Sequence, residues 1–313
     1  MRLIKDKTSI DFLSIGRRRI TSVLSILAVI VSIGSIATKG LEYGIDFTGG
    51  VLLEVGYPQD ADLQRIRQIL GDAGFADLQV QRFGSATDVL LRLPPQPNTN
   101  SDAIRDLLQR TLAEDEPNVD LRRVEFVGPQ VGQELREQGG LATIFVLLLI
   151  FGYVMVRFQW KFAAGAVAAL AHDVILTVGF FSILGLQFDL TVLAAVLAVI
   201  GYSLNDTVVT FDRIRENFIK LRGTAPEDAM NVSVNEMLGR TIITGVTTLL
   251  VLIALYTFGG ESVAPFSIAL IVGVIVGTYS SIYTASATAL YLDVSAQDLL
   301  PPTEESDMVD DTP

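Results

Sequence analysis

The sequence predicts a polytopic α-helical membrane protein with six transmembrane helices and an extracytoplasmic α+β domain between helices 1 and 2. Half of the 313 residues are hydrophobic and only 19% are charged, below the roughly 25% of soluble domains. The hydrophobic residues are concentrated in runs that approach the ~20 residues of a membrane-spanning helix. Residues 40–138, between the first two runs, are polar and alternate between strand and helix periodicity.

The first apolar run, residues 20–38, follows a polar N-terminus, residues 1–19, that ends in three arginines. Arginines directly before an apolar run predict a cytoplasmic anchor. A cleaved signal peptide is the alternative, because small residues occupy positions 35–37, where a peptidase would cut. The length of the run and the further spans behind it favour the anchor.

Residues 40–138 predict a βαββαβ domain, the ferredoxin-like order. Apolar residues alternate in the strands and recur every three to four residues in the helices. The predicted strands are residues 50–57, 78–83, 89–93 and 119–127, and the predicted helices are residues 60–73 and a segment that begins at Ser101.

Five more spans are predicted within residues 139–291, at residues 141–156, 162–186, 190–211, 241–258 and 264–291. Lysine and arginine in short loops mark the cytoplasmic side. They lie between spans two and three and between spans four and five, at Arg157, Lys161, Arg213, Arg215, Lys220, Arg222 and Arg240. Both termini are therefore expected in the cytoplasm. Residues 292–313 are predicted to form an acidic, disordered tail.

Composition excludes several classes of function. The chain has no cysteine and one histidine, which argues against a cysteine nucleophile, a histidine metal cluster and a Ser-His-Asp triad. The net charge of −12 argues against nucleic acid as a partner. We therefore expect no metal, no cofactor and no enzymatic activity.

Ionisable residues inside apolar spans are functional candidates by default. Asp206 lies near the cytoplasmic end of span four, and Arg240 opens span five at a similar depth. A carboxylate in an apolar medium binds a proton readily, whereas a nearby guanidinium favours its release. The two residues are therefore predicted to form a proton relay. A static ion pair, or an arginine that reaches to the interface, is the alternative.

His172 and Asp173, near the middle of span three, and Asn205, beside Asp206, are further candidates for a relay. Histidine exchanges protons near neutral pH. The alternative, a polar pair that only hydrogen-bonds a neighbouring helix, is favoured for His172 and Asp173.

Two glycine patterns indicate backbone roles. The segment GIDFTGG follows span one, and its residues Gly44, Asp46, Gly49 and Gly50 are predicted to form a hinge between membrane and domain. In span six, small residues recur every four positions and include Gly273, Gly277 and Ser281. Such a flat face predicts close packing against another helix of the bundle or against a partner subunit.

Several motifs resemble the SecD/SecF family of bacterial protein-export subunits, which is similar to the resistance-nodulation-division transporters. They are GIDFTGG, the AHDV of residues 171–174, the IGYSLNDTVV of residues 200–209, the DRIREN of residues 212–217 and the FGG of residues 258–260. The resemblance implies a proton-driven role late in protein export, with Asp206 and Arg240 matching the proton-pathway residues of the family. It also implies a βαββαβ outer domain, in agreement with the residue pattern.

The resemblance further implies partners and a location. The expected partners are SecD, in a heterodimer, the SecYEG channel, YajC, YidC, the translocating preprotein and membrane lipid. The expected location is the bacterial inner membrane, with residues 40–138 in the periplasm. Two other functions stay open: half of a transporter for a small molecule or lipid, and a purely structural subunit that stabilises SecD.

Overall fold

The computed structural model describes residues 9–75, 78–95, 101–221, 223–260 and 263–295, so that most of the predicted acidic tail lies outside the described residues. In chain order the elements are α1 (Ile15–Lys39), β1 (Glu42–Tyr43), α2 (Ile45–Thr48), β2 (Gly50–Gly56), α3 (Leu63–Asp72), β3 (Gln79–Phe83), β4 (Ser85–Leu93), α4 (Ser101–Asp115), β5 (Asp120–Val127), α5 (Pro129–Arg157), α6 (Trp160–Leu184), β6 (Gln187–Phe188), α7 (Leu190–Lys220), α8 (Pro226–Phe258), α9 (Ala264–Ser280), a π-helical turn (Ser281–Ala285) and α10 (Ser286–Tyr291).

Among the described residues, six helices are long and apolar enough to cross a membrane, and this confirms the predicted fold class. They are α1, α5, α6, α7, α8 and the continuous helix that α9, the π-helical turn and α10 form together. Two of them begin well before their apolar runs. Helix α8 starts at Pro226 rather than near residue 241, and α5 starts at Pro129, inside the segment predicted for the outer domain. The exact domain boundary stays a prediction.

Local chemistry explains where the helices begin and end. Proline occupies the first turn of α5 and of α8, where its missing N–H costs no hydrogen bond. Gly185 adopts a left-handed conformation that terminates α6. The carboxylate of Asp189 then accepts a hydrogen bond from the Val192 amide at 2.9 Å and caps α7. The chain thereby reverses direction between α6 and α7 within a few residues.

The outer domain is the predicted ferredoxin-like unit. Its strands pair antiparallel in the order β3-β4-β2-β5, so that the first and third strands lie at the centre. Leu53 and Leu91 on the central strands are completely buried against Leu70 of α3 and Leu108 of α4. Asp62 starts α3 by accepting hydrogen bonds from the amides of the first helical turn.

A contact outside the predicted pattern fastens the base of this domain to the bundle. Strand β1 pairs in parallel with β6, so that Glu42 lies opposite Gln187 and Tyr43 opposite Phe188. Arg92 of β4 also donates a hydrogen bond to the Gln187 side chain. The segment after α1 and the α6–α7 connection therefore form one unit with the sheet.

Inside the membrane bundle, α6, α7 and α9 form the centre, whereas α1, α5 and α8 expose most of their apolar side chains. Gly273 and Gly277 of the last helix are buried and face α7. A β-carbon added at Gly273 would lie 2.0 Å from Val199, and one added at Gly277 would lie 3.2 Å from Ser203. The small-residue face thus packs within this chain.

We expect Gly273→Ala to destabilise the bundle by about 1–3 kcal/mol, because Val199 is β-branched and cannot turn away from the added methyl group. Thermal unfolding of the purified chain in detergent measures the effect. Gly152→Ala is the matched control, since a methyl group there meets no atom within 4 Å. The double variant Gly273→Ala/Val199→Ala should regain most of the loss, and an unchanged melting temperature for Gly273→Ala would contradict the packing.

Candidate functional site

Asp206 lies on the interior side of α7, and hydroxyl groups from two other helices bind its carboxylate. Thr241 of α8 donates to Oδ1 at 2.7 Å, and Ser281 of the π-helical turn donates to Oδ2 at 2.5 Å. Neighbouring positions of α7 on this side are hydroxyl residues as well, among them Ser203 and Thr207, both completely buried. The carboxylate is therefore held by neutral donors at the meeting point of three helices.

Arg240 is not part of this contact. Its side chain is exposed, and among the described residues no ion pair joins it to Asp206. The predicted pair is therefore not formed in this structure. The reason is helical geometry: successive residues point about 100° apart, and Thr241, the next residue, is the one that faces α7. Arg240 instead lies on the outward surface of α8, one residue from the contact.

Asp173 occupies a second polar site and is completely buried. Oδ1 lies 2.9 Å from Nδ1 of His172, and Oδ2 accepts hydrogen bonds from Ser203 at 2.6 Å and from Ser280 at 2.7 Å. The imidazole of His172 stacks on the ring of Tyr279, with centroids 6.1 Å apart. His172 and Asp173 thus contact α7 and α9, and whether they also act in a relay stays a prediction.

The two sites are joined through consecutive residues. Ser280 donates to Asp173 of α6, and Ser281 donates to Asp206 of α7. Ser281 is also the first residue of the π-helical turn, a rare conformation that is frequent at functional sites. Asn205, in contrast, is exposed on α7 and points away from both sites.

The glycine-rich segment forms a short helical turn whose glycines, Ile45 and Phe47 are buried. Gly49 and Gly50 have φ angles of 74° and 126°, which residues with a β-carbon rarely adopt. A β-carbon at Gly49 would lie 2.7 Å from the Pro129 backbone, and one at Gly44 would lie 2.9 Å from Asp189. These contacts connect the segment to the starts of α5 and α7. The hinge remains a prediction for a segment that is tightly packed here.

Asp46, within the same segment, receives a hydrogen bond from the Leu190 amide at 3.0 Å. Burial raises the pKa of Asp46 above the usual value of 3.8, and the Asp189 and Glu125 carboxylates act in the same direction. The Leu190 amide and Arg123 act in the opposite direction. Asp46 therefore holds a proton at a higher pH than an exposed aspartate.

Comparison with known families gives a direct result. Residues 107–295 match the family described as "Protein export membrane protein SecD/SecF, C-terminal", and residues 34–61 match the "SecD/SecF GG Motif". The chain belongs to the SecD/SecF family. The second matched segment contains Gly44, Asp46, Gly49 and Gly50, all of the residues predicted for the hinge.

Individual relatives agree with this assignment. The chain is 47% identical over 306 residues to the "Protein translocase subunit SecF" of Vibrio alginolyticus, which covers 97% of this chain and 96% of that protein. It is 49% identical to the subunit of the same name from Pseudomonas aeruginosa, over 95% of this chain and 96% of that protein. Because these matches cover 97% and 95% of this chain, the family assignment extends over nearly its whole length.

Solved structures of the family are longer than this chain. The crystal structure of SecDF from Thermus thermophilus matches with a TM-score of 0.83 at 35% identity. SecDF in a form titled super-membrane-facing matches with a TM-score of 0.69 at 36% identity. This chain spans 40% of the first SecDF chain and 39% of the second, while 93% and 92% of its own length are covered.

The sequence does not predict the four hydroxyl groups that bind the two aspartates. The predicted site lacks Ser203, Ser280 and Thr241, and the sequence indicates only a helix-packing role for Ser281. Serine and threonine are frequent in transmembrane helices, so that their type alone carries little information. A usable signal was present at Ser203, which precedes Asp206 by one helical turn and so shares its face.

The raised pKa of Asp46 predicts an unusual pH dependence. Because folding favours the protonated form, Asp46 contributes more to stability as the pH falls from neutral toward 3.8, the opposite of a salt-bridged aspartate. Asp46→Asn removes this titration. We therefore expect the melting temperature of the wild type, relative to Asp46→Asn, to rise as the pH is lowered. A difference that stays constant with pH would contradict the assignment.

Proposed function

We propose that this chain is the SecF-type subunit of a proton-driven protein-export complex in the bacterial inner membrane. Asp206 carries the proton, and its charge controls the arrangement of the helices. SecD would be the direct partner, because the solved relatives contain both parts in one SecDF chain and this chain spans 40% of the first of them. No enzymatic reaction is involved in this role.

The observation that carries the proposal is the environment of Asp206. An ionised carboxylate inside a membrane bundle is costly unless a cation or several donors surround it. Here two hydroxyls bind the carboxylate, and among the described residues no cation reaches it. Such a group gains stability from a bound proton, and it loses the proton when a cation arrives. This is the behaviour that a proton-coupled machine requires.

Arg240 would supply that cation. It adjoins Thr241, whose hydroxyl contacts Asp206. A rotation of α8 by about one residue, or 100°, would replace the threonine hydroxyl with the guanidinium. Protonated Asp206 would thus be bound to Thr241, as in this structure, and ionised Asp206 would be bound to Arg240. The alternation would convert proton binding into helix movement.

The movement can reach the outer domain through the packed glycine segment. Asp46 binds the first amide of α7, the helix that carries Asp206. Gly49 and Gly132 are in contact at the base of the sheet, because a β-carbon on Gly132 would lie 2.9 Å from the Gly49 amide. A shift of α7 would therefore displace the domain base and α5 together.

The remaining parts of the proposal concern orientation and partners. Both termini would face the cytoplasm and the outer domain the periplasm, as the loop arginines indicate. One elementary charge that crosses 100 mV releases about 2.3 kcal/mol, so a few protons can drive a domain movement. The SecYEG channel, YajC, YidC and the preprotein would associate through the assembled complex.

Asp206→Asn should abolish the proton-dependent part of export, because the amide can neither bind nor release the proton. Arg240→Met should have the same effect through loss of the cation. The measurement is the import of a preprotein into inverted membrane vesicles with and without a proton-motive force. Energised vesicles should gain export over non-energised ones only with the wild type.

Asp212→Asn is the matched control for this experiment. Asp212 lies on the same helix, outside the apolar part, in an exposed ion pair with Arg157 and Arg215. This control should export normally. Abundance of this chain and of SecD is measured in parallel. Normal proton-dependent export by Asp206→Asn would overturn the proposal and would leave a purely structural subunit as the explanation.

A further inference from the structure

We propose that His172 and Asp173 form a second proton-binding site, in which Nε2 of His172 takes up the proton, and that Ser280 and Ser281 couple this site to Asp206. The inference rests on the proposed function, because it adds a site to the same proton pathway. The sequence favoured a structural role for this pair, and four features of the structure argue for a further one.

The first feature is the hydrogen bonding of Asp173. Its carboxylate is completely buried and has three donors: the His172 imidazole, Ser203 and Ser280. Three hydrogen bonds stabilise an ionised carboxylate, and the contact with Nδ1 makes this nitrogen the protonated one. A neutral imidazole then leaves Nε2 without a hydrogen.

The second feature is the state of Nε2. The His172 side chain is only 5% exposed, and among the described residues Nε2 has no hydrogen-bond partner. A buried acceptor without a donor is costly. Adding a proton to Nε2 forms an imidazolium at 2.9 Å from the Asp173 carboxylate, so that the added charge is neutralised within the pair. The bond formed is N–H, and the proton comes from water.

The third feature is a cavity lined by hydroxyl residues near Tyr279, the ring that stacks on His172. The ring of Tyr279 stacks on His172. Its hydroxyl group is 3.0 Å from Ser25 Oγ and donates a hydrogen bond to the Thr21 carbonyl. Ser25 and Thr21 line a cavity of about 180 Å³ between α1 and the last helix, large enough for several waters. Most of its lining residues carry hydroxyl groups, and they are Thr21, Ser22, Ser25, Tyr283, Thr284, Thr288 and Tyr291. The cavity therefore adjoins the hydroxyl groups that Tyr279 contacts, and it is the nearest space for water that we assign to this site.

The fourth feature is the coupling. Ser280 and Ser281 are consecutive in the chain and bind the two aspartates. A hydrogen bond to an ionised carboxylate is roughly twice as strong as one to a neutral group. Protonation of Asp206 therefore loosens Ser281, and the π-helical turn can then adjust together with Ser280. In this way one site responds to the charge of the other.

Titratable groups occur on each helix of the surrounding bundle. Tyr279 stacks on His172, and Tyr283 packs against Tyr279. Within the described residues, the other ionisable groups of α1, α6, α7 and the last helix are Arg17, Arg18, Arg19, Lys39, Lys161, Tyr202, Asp206, Asp212, Arg213, Arg215, Glu216, Lys220 and Tyr291. Apart from Tyr202 and Asp206, these lie toward the helix ends. Asp206 is thus the one carboxylate on these helices that lies within the apolar region alongside Asp173, and its charge should favour protonation of His172.

His172 is the single histidine of the chain, and this allows a direct test. The chain labelled with ¹⁵N-histidine, assembled with unlabelled SecD, gives one pair of imidazole nitrogen signals. The chemical shift of Nε2 reports its protonation as the pH is changed. We expect a titration of Nε2 in the wild type. Asp206→Asn should lower its proton affinity by about fivefold, the lower end of measured couplings between sites.

The hydroxyl coupling is tested by a double-mutant cycle. Ser280→Ala should raise the proton affinity of His172, because Asp173 loses a donor and depends more on the imidazolium. In Ser281→Ala, the effect of Asp206→Asn should shrink to less than half, since the connection between the sites is removed. Ser267→Ala is the matched control: this serine is equally buried on α9 but bonds only its own helix.

Export of preprotein separates this inference from the proposed function. His172→Gln should shift the pH profile of proton-dependent export while subunit abundance stays normal. The inference is overturned when Nε2 keeps one protonation state over the whole pH range, or when its titration curve is the same in the wild type and in Asp206→Asn. It is also overturned when Asp206→Asn abolishes proton-dependent export but His172→Gln leaves the profile unchanged. Normal export by Asp206→Asn would instead refute the proposed function itself.

Discussion

Two carboxylates inside an otherwise apolar bundle set the main constraint on this structure. Each must be surrounded by donors, and each accepts hydrogen bonds from two hydroxyl groups on other helices. Asp173 of α6 accepts hydrogen bonds from Ser203 and Ser280, and Asp206 of α7 accepts them from Thr241 and Ser281. Helices α6, α7, α8 and α9 are thereby held in one arrangement by hydrogen bonds whose strength depends on charge. A bundle built in this way changes its internal bonding when a proton binds.

Close packing makes the arrangement sensitive to small movements. Gly273 and Gly277 let α9 approach α7 so closely that Val199 and Ser203 fill the available space. Packed helices with discrete contacts shift between arrangements rather than deform continuously. The π-helical turn from Ser281 to Ala285 continues the same helix directly after the packed segment. The two aspartates therefore meet the last helix at the point where its geometry changes.

The sequence was sufficient for the architecture because the signals there are long and periodic. Apolar runs predicted the six spans, and alternating strands predicted the βαββαβ domain. The contacts of the site were harder to predict, because they depend on which side of a helix faces inward. Arg240 and Thr241 are neighbours in sequence, and only the three-dimensional packing shows that Thr241 contacts Asp206. The β1–β6 pair joins segments far apart in the chain, and strands of two residues have no periodicity to detect.

If Asp206 carries protons through the assembled complex, replacing it should stop proton flux. The experiment is proton flux into liposomes that contain the purified complex with SecD, with a pH-sensitive dye inside the liposomes and an imposed gradient. We expect flux with the wild type and with Asp212→Asn, and only the leak of protein-free liposomes with Asp206→Asn. Equal flux with the wild type and with Asp206→Asn would contradict this role of Asp206.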